Sequence, residues 1–311
     1  MRNVAIIGAG LMGHGIAQVM AVRGCQVTLM DLKAEVLAQA KKHIRANLSV
    51  LADRGLVGRS EVKPALKRIT CTTVLQDAIH KAELVIEAVV EKSAIKQKLF
   101  MDLDTLCPPE TILATNTSVI SISEIAQAAR HRGRIVGTHF WNPPYLIPLV
   151  EVVKGAETSD ETVERTCAFL KEMGKHPVKV RRDVPGFVGN RLQHALWREA
   201  LSIVEQGIAD AATVDECIKF GFGLRLPILG PLENVDMVGT DLTLDIHSYL
   251  LRHLERSAKP SALLIAKVKH HELGFKTGRG YQDWTPEEAE QSRERLLEYL
   301  VDVIRSQGKD L

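Results

Sequence analysis

Short runs of consecutive apolar residues alternate with longer amphipathic stretches over the first half of the chain, and beyond residue 180 such runs nearly vanish. Val4, Ala5, Ile6 and Ile7 form a continuous apolar run, the pattern of a central parallel strand buried on both faces. A helical pattern follows through Ile16, Val19, Met20 and Val22, and then a second strand from Val27 to Met30. From Ala34 to Leu66 the period is helical, with Gly55 and Gly58 dividing a first helix (Leu37, Ile44, Leu48, Leu51) from a shorter one. A plain strand–helix–strand crossover needs fewer residues, so this stretch predicts an inserted helical hairpin. The alternation resumes with a strand from Leu84 running into a loop at Glu91, an amphipathic helix from Ala94 to Leu106, and a strand from Thr111 to Ala114. Ile135 and Val136, and then Leu149, Val150, Val152 and Val153, predict two more strands. Asn142, Pro143, Pro144 and Pro148 force an irregular connection between them. If that connection reverses the chain with its midpoint near Tyr145, His139 and Glu151 stand opposite each other across a strand pair.

Ser159 to Met173 predicts a helix and Val178 to Val180 one more strand. Arg181-Arg182-Asp183-Val184-Pro185-Gly186 then combines a charge run with chain breakers and is the best domain boundary. Helical patterns follow over 190–207, 211–220, 229–255 and 260–273. Thr285-Pro286-Glu287-Glu288 is a helix-start signature, with threonine as cap, proline at the first position and a glutamate reaching back from the third. It opens a last amphipathic helix through Leu296, Leu297, Leu300 and Ile304.

The first strand ends in Gly8-Ala9-Gly10-Leu11-Met12-Gly13. Gly8 permits a tight turn, Gly10 lets the backbone approach a pyrophosphate, and Gly13 lets the following helix pack close to the strand. The N-terminal amides of that helix then face the phosphates. Asp31, at the end of the second strand, stands where a carboxylate accepts hydrogen bonds from both ribose hydroxyls and repels a 2′-phosphate, so NAD is expected over NADP. The fold expected is α/β: a Rossmann-type, mostly parallel sheet with an inserted helical hairpin, followed by an all-α second domain. The boundaries expected are 1–182 for the NAD-binding domain and 183–311 for the helical domain, the latter with an extra terminal helix over 285–307.

Composition narrows the partners. With 311 residues, 45% hydrophobic and 25% charged, the chain has room for two cored domains and the make-up of an ordinary soluble protein. Its formal charge of +2 suggests neither nucleic acid nor a membrane surface as partner. Cys25, Cys71, Cys107, Cys167 and Cys217 are scattered and form no CxxC pair, so neither a disulfide framework nor a metal site is expected. Met1 and Arg2 run straight into the first strand with no signal-peptide pattern, and the expected location is the cytoplasm.

A carboxylate beside an imidazole fixes its tautomer and stabilises the imidazolium, which suits a general base acting on a hydroxyl. His139 and Glu151 fit that arrangement; the alternative is a strand-capping histidine and a solvated glutamate. Glu91 and Ser118 leave the carboxyl ends of parallel strands and so fall on the cofactor side. Ser118 is either a hydrogen-bond partner for a substrate oxygen or a cap. Lys41, Lys42, Arg45, Arg54 and Arg59 of the hairpin either meet an anionic substrate or form a solvated basic face.

With the glycine loop, Asp31, Asn116-Thr117-Ser118, His139, Glu151 and Asp183-Val184-Pro185-Gly186-Phe187-Val188-Gly189-Asn190-Arg191 in this order, the chain resembles the L-3-hydroxyacyl-CoA dehydrogenase family. The resemblance runs through Phe275-Lys276-Thr277-Gly278-Arg279-Gly280-Tyr281 and leaves out only the last helix. It implies that His139 is the base that takes the 3-hydroxyl proton while hydride passes to the nicotinamide, and that Glu151 orients it. Ser118 and Asn190 would hydrogen-bond the reacting oxygen or its neighbour. Cofactor contacts implied are Glu91, Lys96, Asn142 and Lys276, beside Gly8, Gly10, Leu11, Met12, Gly13 and Asp31. A homodimer joined through the helical domain and a place in fatty acid metabolism are implied too. The family's CoA-nucleotide contacts align with Asn47 and Arg54. One departure concerns the loop from Asn142 to Glu151, which is similar to that of branches oxidising free hydroxy acids, such as L-gulonate 3-dehydrogenase with its lambda-crystallin relative and carnitine dehydrogenase. The substrate expected is therefore a 3-hydroxyacyl-CoA, with a free 3-hydroxy acid as the alternative and an inactive dinucleotide-binding structural protein as a third reading.

Overall fold

The computed structural model describes residues 1–306, which group into two compact units: Met1–Asn190 together with the chain from Leu296, and Arg191–Arg295. In the first unit the described strands form one sheet. They are β1 (Asn3–Ile7), β2 (Gln26–Met30), β3 (Ile69–Thr72), β4 (Leu84–Glu87), β5 (Ile112–Thr115), β6 (Ile135–Phe140), β7 (Leu149–Val153) and β8 (His176–Val180), in the order β3-β2-β1-β4-β5-β6-β7-β8. Every neighbouring pair is parallel except β6 with β7. The helices between them are α1 (Leu11–Val22), α2 (Ala34–Asp53), α3 (Arg59–Lys67), α4 (Leu75–Ile79), α5 (Ser93–Leu106), α6 (Ile122–Ala126) and α7 (Asp160–Glu172). The expected α/β class with a helical insertion holds, α2 and α3 being the insertion between β2 and β3.

Alternate residues of each strand feed the two faces of the sheet, as the two-residue repeat requires. Val4 and Ile6 join Ile16, Met20, Ile44 and Val152 in one core; Ala5 and Ile7 join Phe100, Leu103, Ile122 and Val153 in the other. The strand β3 and the short helices α4 and α6 carry too few apolar residues to stand out in the sequence, and were not anticipated.

α8 (Gly189–Glu205) leads into the second unit, which holds α9 (Ala211–Lys219), α10 (Pro231–Val238), α11 (Thr240–Leu250) and α12 (Ala262–Lys269). The single helical run expected over 229–255 is broken at Gly239, whose φ of 104° ends α10. None of α9, α10, α11 and α12 buries a residue within the chain. No described helix is long and apolar enough to cross a membrane.

The division of the chain differs from the expected boundary at 182/183 in two places. Residues 184–190 group with the first unit because the Val188 and Gly189 amides bond to Glu151 on β7. The last helix, α13 (Pro286–Ser306), joins the first unit from Leu296. There Val301 and Ile304 pack with Leu51, Leu56 and Val57 of the hairpin and with Leu146. A buried aliphatic side chain is worth roughly 1.5–3 kcal/mol, so this seam decides where the helix lies. Its start is the one the sequence signals: Thr285 Oγ1 accepts from the Glu288 amide at 3.1 Å and Glu288 Oε2 accepts from the Thr285 amide at 2.9 Å. Gln307, the last residue of the expected helix, lies outside the described residues.

Candidate active site

β6 and β7 pair antiparallel in a register that sets His139 against Glu151, with Phe140 against Val150 on the next rung. Both residues are buried, His139 at 4% exposure and Glu151 at 0%. Imidazole Nδ1 and carboxylate Oε2 are 2.8 Å apart, and the other oxygen, Oε1, accepts from the amides of Val188 and Gly189, each at 2.9 Å. Burial pushes the Glu151 carboxyl up, but the hydrogen bonds from His139, Gly189 and Val188 outweigh it and hold the group below the usual carboxylate range. An ionised Glu151 makes Nδ1 the donor and leaves Nε2 with its lone pair.

The turn before α8 is built for this contact. Gly186 and Phe187 take φ of 76° and 50°, which turns the next two amides onto one carboxylate oxygen. For phenylalanine that conformation is strained, and such strain is tolerated where the surroundings fix it. Phe187 is 1% exposed, with its ring centroid 5.7 Å from that of His139; Trp141 lies on the same imidazole at 5.2 Å. A side chain at Gly189 would collide with the Trp141 indole.

Asn190 and Ser118 are brought together, the Asn190 amide donating to the Ser118 carbonyl at 3.0 Å, and both are half-buried. The Ser118 amide donates to Glu91 Oε1 at 2.9 Å, as does the Thr117 hydroxyl at 2.5 Å. Lys96, 1% exposed, binds Glu87 at 2.6 Å and Glu91 at 3.1 Å. Glu87 also accepts from Thr115 Oγ1 and from the Val89 amide. Glu91 and Lys96 thus tie the loops after β4 and β5 together. Burial raises the Glu91 carboxyl, and Thr117, Lys96 and Ser118 more than reverse this.

The hairpin is placed differently. Lys41, Lys42, Arg45 and Arg59 are exposed, Asn47 and Arg54 half-buried. Arg59 pairs with Asp53 at 3.0 Å and Arg54 with Glu298 of α13 at 3.9 Å, while Arg305 donates to the Arg54 carbonyl. Asn142 is exposed, its peptide bond to Pro143 cis. Lys276 belongs to the second unit, exposed in the loop after α12.

Residues 3–184 match the family model described as 3-hydroxyacyl-CoA dehydrogenase, NAD binding domain, and residues 186–284 the one described as 3-hydroxyacyl-CoA dehydrogenase, C-terminal domain. The chain belongs to the 3-hydroxyacyl-CoA dehydrogenase family. A probable 3-hydroxybutyryl-CoA dehydrogenase of Bacillus subtilis is 39% identical over 285 residues, 91% of this chain and 98% of its own. A 5-formyl-3-hydroxy-2-methylpyridine 4-carboxylate 5-dehydrogenase of Mesorhizobium japonicum is 34% identical over 305 residues, 98% of either chain. A crystal structure of a 5-formyl-3-hydroxy-2-methylpyridine 4-carboxylic acid 5-dehydrogenase, described as an NAD+-dependent dismutase, matches at a TM-score of 0.91 and 33% identity over 100% of both chains. Like its family, the chain is an NAD-dependent oxidoreductase acting on a CH–OH group.

The glycine loop fits that cofactor. A Cβ on Gly10 would meet nothing within 4 Å, so the backbone there is open to a ligand. One on Gly8, whose φ is 101°, would press on the Ala88 carbonyl, and one on Gly13 on the Gly8 carbonyl. Leu11, 65% exposed, and Met12 open α1, whose first amides carry the positive end of the helix dipole. Asp31 Oδ2 accepts from the Ala9 amide at 2.9 Å, which sets the carboxylate beside the loop. Asn116 and Phe187 stand in the motifs that carry the family resemblance, but sequence reasoning gave no site role to them, to Glu87 or to Trp141. Asn116 Oδ1 accepts from the Phe140 amide at 2.8 Å and so fixes the strand end that carries His139. The signal available for Glu87 was an acidic residue inside an apolar strand.

Proposed function

We propose that the chain interconverts an L-3-hydroxyacyl-CoA and its 3-oxoacyl-CoA, with His139 as general base. Bound NAD supplies the hydride acceptor. Nε2 of His139 takes the 3-hydroxyl proton as the carbon is oxidised and returns it in reduction, and Glu151 holds the ring's tautomer and balances the imidazolium. The Asn190 and Ser118 segment provides hydrogen bonds to the developing oxyanion or the neighbouring carbonyl. Gly8, Gly10, Leu11, Met12 and Gly13 would cradle the pyrophosphate, Asp31 would take the adenosine ribose, and Asn142 would complete the first unit's contacts with the cofactor, with Glu91 and Lys96 shaping the loops beside it. The buried His139–Glu151 pair, with the second carboxylate oxygen also satisfied, carries this reading. It also argues against a purely structural dinucleotide-binding protein.

A free 3-hydroxy acid is the second reading, favoured by α13. That helix engages Arg54, the hairpin residue aligned with a CoA contact, and the family models end at residue 284, before it. The match to the pyridine-carboxylate dehydrogenase runs through it. NADH oxidation with acetoacetyl-CoA, set beside acetoacetate, 3-dehydrocarnitine and other free 3-oxo acids, separates the two. Turnover of the thioester alone is the expected result, and turnover of a free acid alone would replace the first reading by the second.

We also infer a homodimer through the second unit. Phe220, Ile228, Leu232, Met237 and Leu244 are between 66% and 82% exposed on helices and turns that bury nothing within one chain, which leaves their apolar faces for a second copy. Sedimentation showing a monomer at assay concentration would refute it. The five free cysteines suit a reducing compartment, and the cytoplasm is the location proposed. Imaging of a tagged chain tests that.

A further inference from the structure

Lys175, between α7 and β8, is 7% exposed, and its ammonium has two acceptors: the carbonyls of Pro144 and of Ile147, the latter at 3.1 Å. Both lie on the loop that follows His139. Burial, and next the nearby Arg23 charge, lower the Lys175 amine to about 8. Burying an ammonium without a carboxylate partner is costly, whereas an aliphatic residue would fill the same space at no such cost. What the amine supplies, and an aliphatic side chain does not, is donors for this loop. Pro143, Pro144 and Pro148 remove three backbone donors from it. The amides of Leu146 and Ile147 are both spent on the Pro143 carbonyl. The Pro148 carbonyl is taken by the amide of His176, next to Lys175 in the chain.

The stitched loop touches the cofactor helix. A Cβ on Gly15 of α1 would stand 2.8 Å from the Pro144 ring, and Gln18 of α1, Tyr145 and Lys175 line one small cavity of about 20 Å³. The Lys175 ammonium makes no hydrogen bond or ion pair with His139 or Glu151. We infer that Lys175 is a positioning residue for cofactor binding: through the Pro144 and Ile147 carbonyls it sets the path of the loop that carries Asn142 and packs on α1. The inference rests on the assignment of NAD to the glycine loop and of Asn142 to its contacts, not on the identity of the substrate.

The test is fluorescence titration of the full chain with NADH, together with steady-state kinetics on whichever 3-oxo compound the wild type reduces. Removing the shared donor from one buried and one half-buried carbonyl should cost roughly tenfold in affinity. Lys175→Met is therefore expected to raise the NADH Kd and KM by about that factor, to leave kcat within about twofold, and to be partly rescued in Lys175→Arg. A folded Lys175→Met with unchanged NADH affinity overturns the inference, as does an equal loss in kcat alone. Should Lys175→Met not fold, Gly15→Ala probes the same contact from α1 by pressing on Pro144. It should weaken NADH in the same selective way, and normal NADH binding there counts against the coupling. Wild-type chain that binds NADH but reduces no thioester would remove the proposed substrate and leave this inference standing.

Discussion

The strand pair β6–β7 and the helical hairpin α2–α3 both bring charged side chains to bear on the substrate question, under opposite conditions. On the strand pair one imidazole and one carboxylate are sealed from water, and both carboxylate oxygens have partners. On the hairpin, cations stand mostly in solvent, and Arg54, at 31% side-chain exposure, shares a 3.9 Å pair with a glutamate that is 61% exposed. Low local dielectric and fixed geometry make the first arrangement strong and specific; screening and side-chain freedom make the second weak and adaptable. On the proposed function, reaction chemistry belongs to the buried pair and choice of substrate to the surface.

Replacing His139 by glutamine should lower turnover by about two to four orders of magnitude with little change in NADH affinity. Steady-state kinetics and NADH titration measure both, and full activity would break the comparison at its strong end. Glu151→Gln should cost on the order of a hundredfold or more in kcat, because an amide no longer imposes the Nδ1–H tautomer. The same variant sharpens the electrostatics. Since the folded Glu151 carboxyl lies below its unfolded value of about 4.3, its stabilising contribution is present above that pH and is lost as pH falls below it. Urea midpoints followed from neutral pH down to about pH 3 should fall more steeply, below about pH 4.3, in the wild type than in Glu151→Gln. Equal slopes would show that the carboxylate is not held as described.

Asp31 is intermediate, half-buried and bonded to the loop. Asp31→Ser should raise the NADPH/NADH ratio of kcat/KM by about ten- to a hundredfold, since it removes both the ribose acceptor and the repulsion of a 2′-phosphate. A ratio that does not move would take the ribose away from Asp31. The smallest effects belong to the hairpin. Exposed ion pairs are worth about 0.2–1 kcal/mol, so Arg54→Ala should raise the KM for acetoacetyl-CoA only about two- to fivefold, and Glu298→Ala, which frees Arg54, should lower it slightly. A large effect on a free acid and none on the thioester would transfer Arg54 to the second reading.

The chain's own pattern was enough for the elements that bury continuous apolar runs: β1, β2, β4, the hairpin, and the start of α13 with its Thr285–Glu288 box. Those features are local, and periodicity or capping reports them. The His139–Glu151 pairing was legible because prolines fixed the length and irregularity of the turn between two short strands. Lys96 shows the limit. Its sequence position marks a lysine on an amphipathic helix, whereas its 1% exposure and two carboxylate partners depend on where β4 ends. The amides of Val188 and Gly189, the ring of Trp141 and the carbonyls held by Lys175 are in the same class, since a backbone atom or an aromatic face carries no sequence mark of its partner. Tertiary structure alone also placed α13 from Leu296 onward against the hairpin, because an amphipathic helix fixes which of its faces is buried and not the surface that buries it.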